Sequence, residues 1–67
     1  MKTYTVSANG KQILTTEAIN HDMAYRGVCC WFLPETPVTI CDESTGKCFV
    51  YTRALDKGGN LIAIFRH

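Results

Sequence analysis

Apolar and polar residues alternate with a period of two in several short stretches, which is the pattern of half-buried β-strands. The first two stretches run from Thr3 to Ser7 and from Lys11 to Leu14. Asn9 and Gly10 lie between them, and both residue types tolerate positive φ. The pattern therefore predicts a β-hairpin with a two-residue turn at the start of the chain.

Three further strands are predicted in the second half of the chain, over Val38–Asp42, Lys47–Arg53 and Asn60–Arg66. Segments rich in turn-forming residues, 43–46 and 56–59, separate them. Both sets of alternate positions are apolar in the last strand. We therefore expect part of the second sheet face to be covered as well, by a loop, a partner or a second copy of the chain.

The segment from Thr16 to Leu33 contains the only helical pattern. Thr15 or Thr16 suits the N-cap, and Gly27 suits the left-handed position that often closes a helix. These signals predict a helix of about 10 residues, near the usual mean length. The apolar run Val28–Leu33 follows a glycine and precedes a proline, which favours a buried central strand.

The predicted order is β-β-α-β-β-β-β, which indicates one α+β domain over residues 1–67. Its simplest arrangement is a small antiparallel sheet with one helix packed on a face. A chain of this size buries only about 60% of the surface that it exposes when unfolded. It therefore needs tight packing or a partner, and a homodimer is one such arrangement.

The formal net charge of +1 excludes both a strongly basic nucleic-acid binder and an acidic DNA mimic. The first ten residues lack the apolar run of a secretory signal, and no stretch approaches the length of a membrane span. We therefore expect a cytoplasmic protein without a membrane partner. In that compartment the four cysteines should be thiols.

The spacing of Cys29, Cys30, Cys41 and Cys48 contains no C-x-x-C pair and fits a zinc site poorly. Cysteine is among the most often buried residue types, so we expect four small core thiols and no cofactor or metal. Two alternatives stay open. The cysteines could be metal ligands, or Cys41 and Cys48 could pair across the turn at 43–46.

No pattern in the sequence indicates catalysis. His21 and His67 could each approach a cysteine, but no local signature supports a nucleophile. Gly58 and Gly59 are better explained as a turn than as a phosphate-binding loop. We therefore expect a protein that is not an enzyme.

A protein-binding surface is indicated by aromatic residues near the end of the predicted helix. Aromatic residues and arginine are common anchors in protein interfaces. The anchors predicted from the sequence are Tyr25, Trp31, Tyr51 and Arg53.

A nucleic-acid surface is the alternative, because Lys47, Phe49, Tyr51 and Arg53 alternate and share one face of a strand. Aromatic rings flanked by cations on an open sheet can stack bases and hold phosphates. If the helix covers this face, however, Phe49 and Tyr51 belong to the core.

The sequence thus favours a small intracellular protein-binding module. Compact domains of this kind are common among phage and mobile-element accessory proteins. Such a protein would inhibit a larger host enzyme or defence complex, such as a CRISPR effector, by steric occlusion. A nucleic-acid-binding module is the second hypothesis, and a zinc-binding regulator is the third.

Overall fold

A computed structural model describes the whole chain, Met1–His67. It contains one five-stranded antiparallel sheet and one short helix, which confirms the predicted α+β class. None of its helical segments has the length and apolar character needed to cross a membrane. The elements in chain order are β1 Lys2–Ala8, β2 Lys11–Ala18, α1 His21–Val28, a 3-10 turn Cys29–Trp31, β3 Val38–Asp42, β4 Cys48–Leu55 and β5 Leu61–Arg66.

The strands lie in the order β2-β1-β3-β4-β5. β1, β3 and β4 are therefore internal strands, and β2 and β5 form the two edges. The predicted first turn is confirmed, since Asn9 and Gly10 have φ of 54° and 77°. Ala8 pairs with Lys11 across it, and one irregularity follows in β1 before the pairing continues to the end of β2.

The core lies between the helix and one face of the sheet. Alternate residues of β1, β3 and β4 point toward the face of the sheet on which the helix lies. The direct contacts of the helix are mainly with β2 and β3. The opposite sheet face has no helix over it; we call it the open face. The buried cluster consists of Tyr4, Val6, Ala18, Ala24, Tyr25, Val28, Val38, Ile40 and Tyr51.

The predicted start of the helix is wrong. β2 extends to Ala18, which pairs with Lys2, so the backbone near Thr16 is part of the sheet. The helix begins at His21, and the Asn20 side chain is its N-cap, accepting a hydrogen bond of 2.9 Å from the Met23 amide. Pairing with β1 satisfies the backbone groups that a helix would otherwise use.

The predicted strand over Val28–Leu33 is also wrong, so the sheet has five strands and not six. Gly27 lies inside the helix, and a 3-10 turn continues the helical path to Trp31. The amide of Cys29 still donates to the carbonyl of Tyr25. The run therefore contributes to the core through Val28, which belongs to the buried cluster, and through Cys29 and Phe32, which pack against that cluster.

The expectation of four buried thiols is wrong as well. Cys41 in β3 lies directly opposite Cys48 in β4, and a disulfide joins them on the open face. Cys29 and Cys30 are free, and Cys30 is exposed. The register of the β3–β4 hairpin explains the pairing, which the sequence left as an alternative.

Candidate functional site

The loop after the helix presents two large apolar side chains to solvent. Trp31 and Leu33 are 72% and 79% exposed, whereas Phe32 between them packs against the core. We call residues 29–37, which connect α1 to β3, the Trp31 loop. Anchoring of Phe32 fixes the direction in which its two neighbours project.

Arg53 in β4 attaches this loop to the sheet. Its Nε donates to the carbonyl of Cys29 at 3.2 Å, and its Nη2 donates to the carbonyl of Phe32 at 2.7 Å. The planar guanidinium is suited to such a pair of bonds because its donors have fixed directions. The carbonyl of Arg53 also accepts a hydrogen bond from the Glu35 amide at 2.8 Å. One residue thus holds the loop at three points.

Tyr25 and Tyr51 lie beneath this region. Each is only 1% exposed, and their rings stack with centroids 4.8 Å apart and an interplanar angle of 10°. Burial, followed by a hydrogen bond to Asp22, raises the pKa of Tyr51 to about 12. Burial also raises the pKa of Tyr25. Both phenols are therefore neutral at physiological pH and support the site from within the core.

The four predicted protein-binding residues thus lie in one region with different roles. Trp31 is at the surface, Arg53 positions its loop, and Tyr25 and Tyr51 form the base. Only Trp31 of the four is open to a partner. Leu33 was missed by the sequence analysis, because alternation in the assumed strand gave no reason to expose it.

The residues of the predicted nucleic-acid surface lie on the helix side of β4. The helix begins above Phe49, with the His21 ring edge-on at a centroid distance of 4.8 Å. The guanidinium of Arg66 lies over the Phe49 ring at 4.6 Å, and Tyr51 is buried. These contacts occupy the ring faces on which bases would stack. The predicted nucleic-acid surface affected by these contacts consists of Lys47, Phe49, Tyr51 and Arg53.

A shallow depression of about 460 Å³ lies near the end of β5. Thr52 Oγ1 and His67 Nε2 are 2.9 Å apart within it. This resembles a nucleophile and its base, but no third group hydrogen-bonds the other ring nitrogen of His67. No group of three or more histidine, cysteine or acidic side chains is arranged to hold a metal ion.

Comparison with known proteins found no matching family model, no matching curated protein and no matching solved structure. The candidate function therefore rests on the geometry of the Trp31 loop and its supports.

Proposed function

We propose that this protein is a small protein-binding module that inhibits a larger enzyme or defence complex, such as a CRISPR effector, by steric occlusion. We place it among phage or mobile-element accessory proteins and expect it to act in the cytoplasm. The observation that carries the proposal is the exposure of Trp31 and Leu33 on a loop that Arg53 holds in place.

A binding surface that is already ordered favours a tight complex. A flexible loop loses conformational entropy when it binds, and this loss weakens the complex. The hydrogen bonds from Arg53 fix the backbone on both sides of Trp31 before any partner arrives. Tryptophan is also among the residues that most often dominate binding energy when they enter a pocket on the partner.

The overall charge and size are compatible with this mode of action. A net charge of +1 provides little long-range attraction to nucleic acid, so apolar contact is the main driving force available. The molecule measures 38 × 24 × 19 Å. A standard interface buries about 800 Å² on each partner, which is a modest share of its 4481 Å² surface.

The test is capture of a target from a host-cell lysate, followed by binding and activity measurements with that purified target. Trp31→Ala should weaken binding by about 2 kcal/mol or more, which is roughly 30-fold. Leu33→Ala should weaken it in the same direction. Inhibition of the target should be lost in parallel.

Ile19→Ala is the matched control, because Ile19 is 71% exposed but lies outside the Trp31 loop. It should bind and inhibit like the wild type. Binding should also survive nuclease and high salt, since apolar contact is weakly salt-dependent whereas phosphate contact is strongly so. Equal binding by Trp31→Ala and wild type, or loss of capture after nuclease, would contradict the proposal.

A further inference from the structure

The outer edge of β5 is unusually apolar for an edge strand. The strand reads LIAIFR, with one charge and no proline. Edge strands are normally protected by charges, prolines or bulges, because their unpaired backbone groups can pair with another chain. The features of this kind here are Arg66, at the end of the strand, and an irregularity opposite the Ala54–Leu55 step. The part from Ala63 to Arg66 is regular.

The direction of the free backbone groups follows from the pairing with β4. The amide of His67 donates to the carbonyl of Val50 at 2.8 Å. Hydrogen-bonded and non-hydrogen-bonded pairs alternate in an antiparallel ladder, so Phe65 is bonded to β4. Ile64 and Arg66 consequently direct their N–H and C=O groups away from the sheet.

We propose that β5 is a self-association edge, at which two copies of this chain pair their β5 strands antiparallel. The two-fold axis passes beside Phe65, so Phe65 faces the partner's Phe65. Ile64 then lies opposite the partner's Arg66, and the reverse pair lies on the other side of the axis. Because Ile64 and Arg66 point their backbone groups outward, the two Ile64–Arg66 pairs form four hydrogen bonds and one continuous sheet of ten strands.

The side chains also suit this register. Phe65 is 51% exposed on the open face, and non-hydrogen-bonded pairs bring side chains closest together. Aromatic cross-strand pairs are stabilising. The guanidinium of Arg66 lies opposite an isoleucine and not opposite its own copy, and it already has Asp22 at 3.7 Å. No like charges meet across the axis, which is why a second copy fits this edge.

The test is a charge exchange at the axis, read by sedimentation equilibrium over a range of protein concentrations. Phe65→Glu alone and Phe65→Lys alone each place two like charges opposite one another. Each should raise the dimer dissociation constant roughly tenfold or more. An equimolar mixture of the two variants should restore dimers, because a carboxylate then faces an ammonium group.

Thr15→Glu and Thr15→Lys are the matched controls, since Thr15 is exposed on the same sheet face but in the opposite edge strand, β2. They should leave the dimer unchanged, as should Trp31→Ala, which separates this proposal from the inhibitory function. Circular dichroism checks that each variant is folded. A wild type that stays monomeric, a dimer insensitive to Phe65→Glu, or a mixture that fails to restore dimers would overturn the proposal.

Discussion

Arg53 connects the interior of the protein to its most exposed aromatic residue. Its guanidinium bonds two carbonyls of the Trp31 loop and lies close enough to Tyr25 to lower that phenol's pKa against the larger effect of burial. The sequence pattern predicts that Arg53 is a surface anchor. The structure gives it a positioning role, because its donors are used within the molecule.

Arg53→Lys should separate charge from geometry. Lysine keeps the positive charge but cannot bond both carbonyls with one planar group. We expect a loss of about 1–2 kcal/mol in the free energy of unfolding, measured by urea denaturation. Target binding should weaken although Trp31 is still present. Arg26→Lys, on the exposed side of the helix, is the control and should change neither quantity.

At the scale of elements, the strands and turns that depend on local chemistry were predictable. Asn9-Gly10 specifies a tight turn by backbone preference alone, and Val38–Asp42 was predicted with its observed bounds. The helix start was not predictable in this way. Thr16 is a good N-cap by type, but pairing with Tyr4 in β1 places it in a strand instead.

The candidate site shows the same limit. Trp31 was predicted to be a binding residue, whereas its loop was assigned to a strand. Glycine and proline at the ends of the Val28–Leu33 run are typical of strands, but Gly27 is tolerated inside the helix. The exposure of Leu33 depends on Phe32 reaching the core, and no local pattern reveals which of three consecutive apolar residues is buried.

The β3–β4 turn depends on one buried carboxylate. Asp42 is 2% exposed and accepts hydrogen bonds from the hydroxyl of Ser44 at 2.7 Å and from its amide at 2.9 Å. These bonds hold the pKa of Asp42 below its usual range, and Lys2 at 3.6 Å acts in the same direction. The ionised form therefore stabilises the folded state.

Lowering the pH should show how far the stability of the folded state depends on the ionised Asp42 carboxylate. Because the pKa is lower in the folded state, the contribution of Asp42 is complete above the unfolded value of about 3.9 and is lost as pH falls below it. Asp42→Asn should be less stable than the wild type at neutral pH, because the amide loses the charge-assisted hydrogen bonds from Ser44, and should show a flatter loss of stability in acid. Urea denaturation across this pH range measures both effects. Glu17→Gln removes an exposed carboxylate and should keep the wild-type profile.

At the scale of the whole molecule, the Cys41–Cys48 disulfide links the stability of the protein to the redox state of its cellular compartment. Disulfides persist in oxidising compartments and are rare in the cytosol. The cytoplasmic location that we propose therefore implies that the protein must also fold with this bond reduced. The five strands and the buried cluster do not depend on the bond for their contacts, since both sulfur atoms lie on the open face.

Reduction should lower stability without unfolding the protein. The bond closes a short loop, with a sequence separation of 7, and the chain-entropy estimate for such a loop is about 2.5 kcal/mol. We expect the midpoint of urea denaturation to fall by a corresponding amount when a reductant is added. The Cys41→Ser/Cys48→Ser variant should not respond to the reductant. Complete unfolding on reduction would contradict the expectation.

The two edges of the sheet are chemically unlike. β5 is apolar along its outer side, whereas β2 begins with Lys11 and contains Glu17 near its end. When two β5 edges pair with each other, neither copy has a free β5 edge left. The remaining edges are the two β2 strands, whose charges oppose the addition of further strands. The proposed assembly through β5 is therefore closed at two chains. We therefore expect the proposed dimer to resist fibril growth even in a concentrated solution.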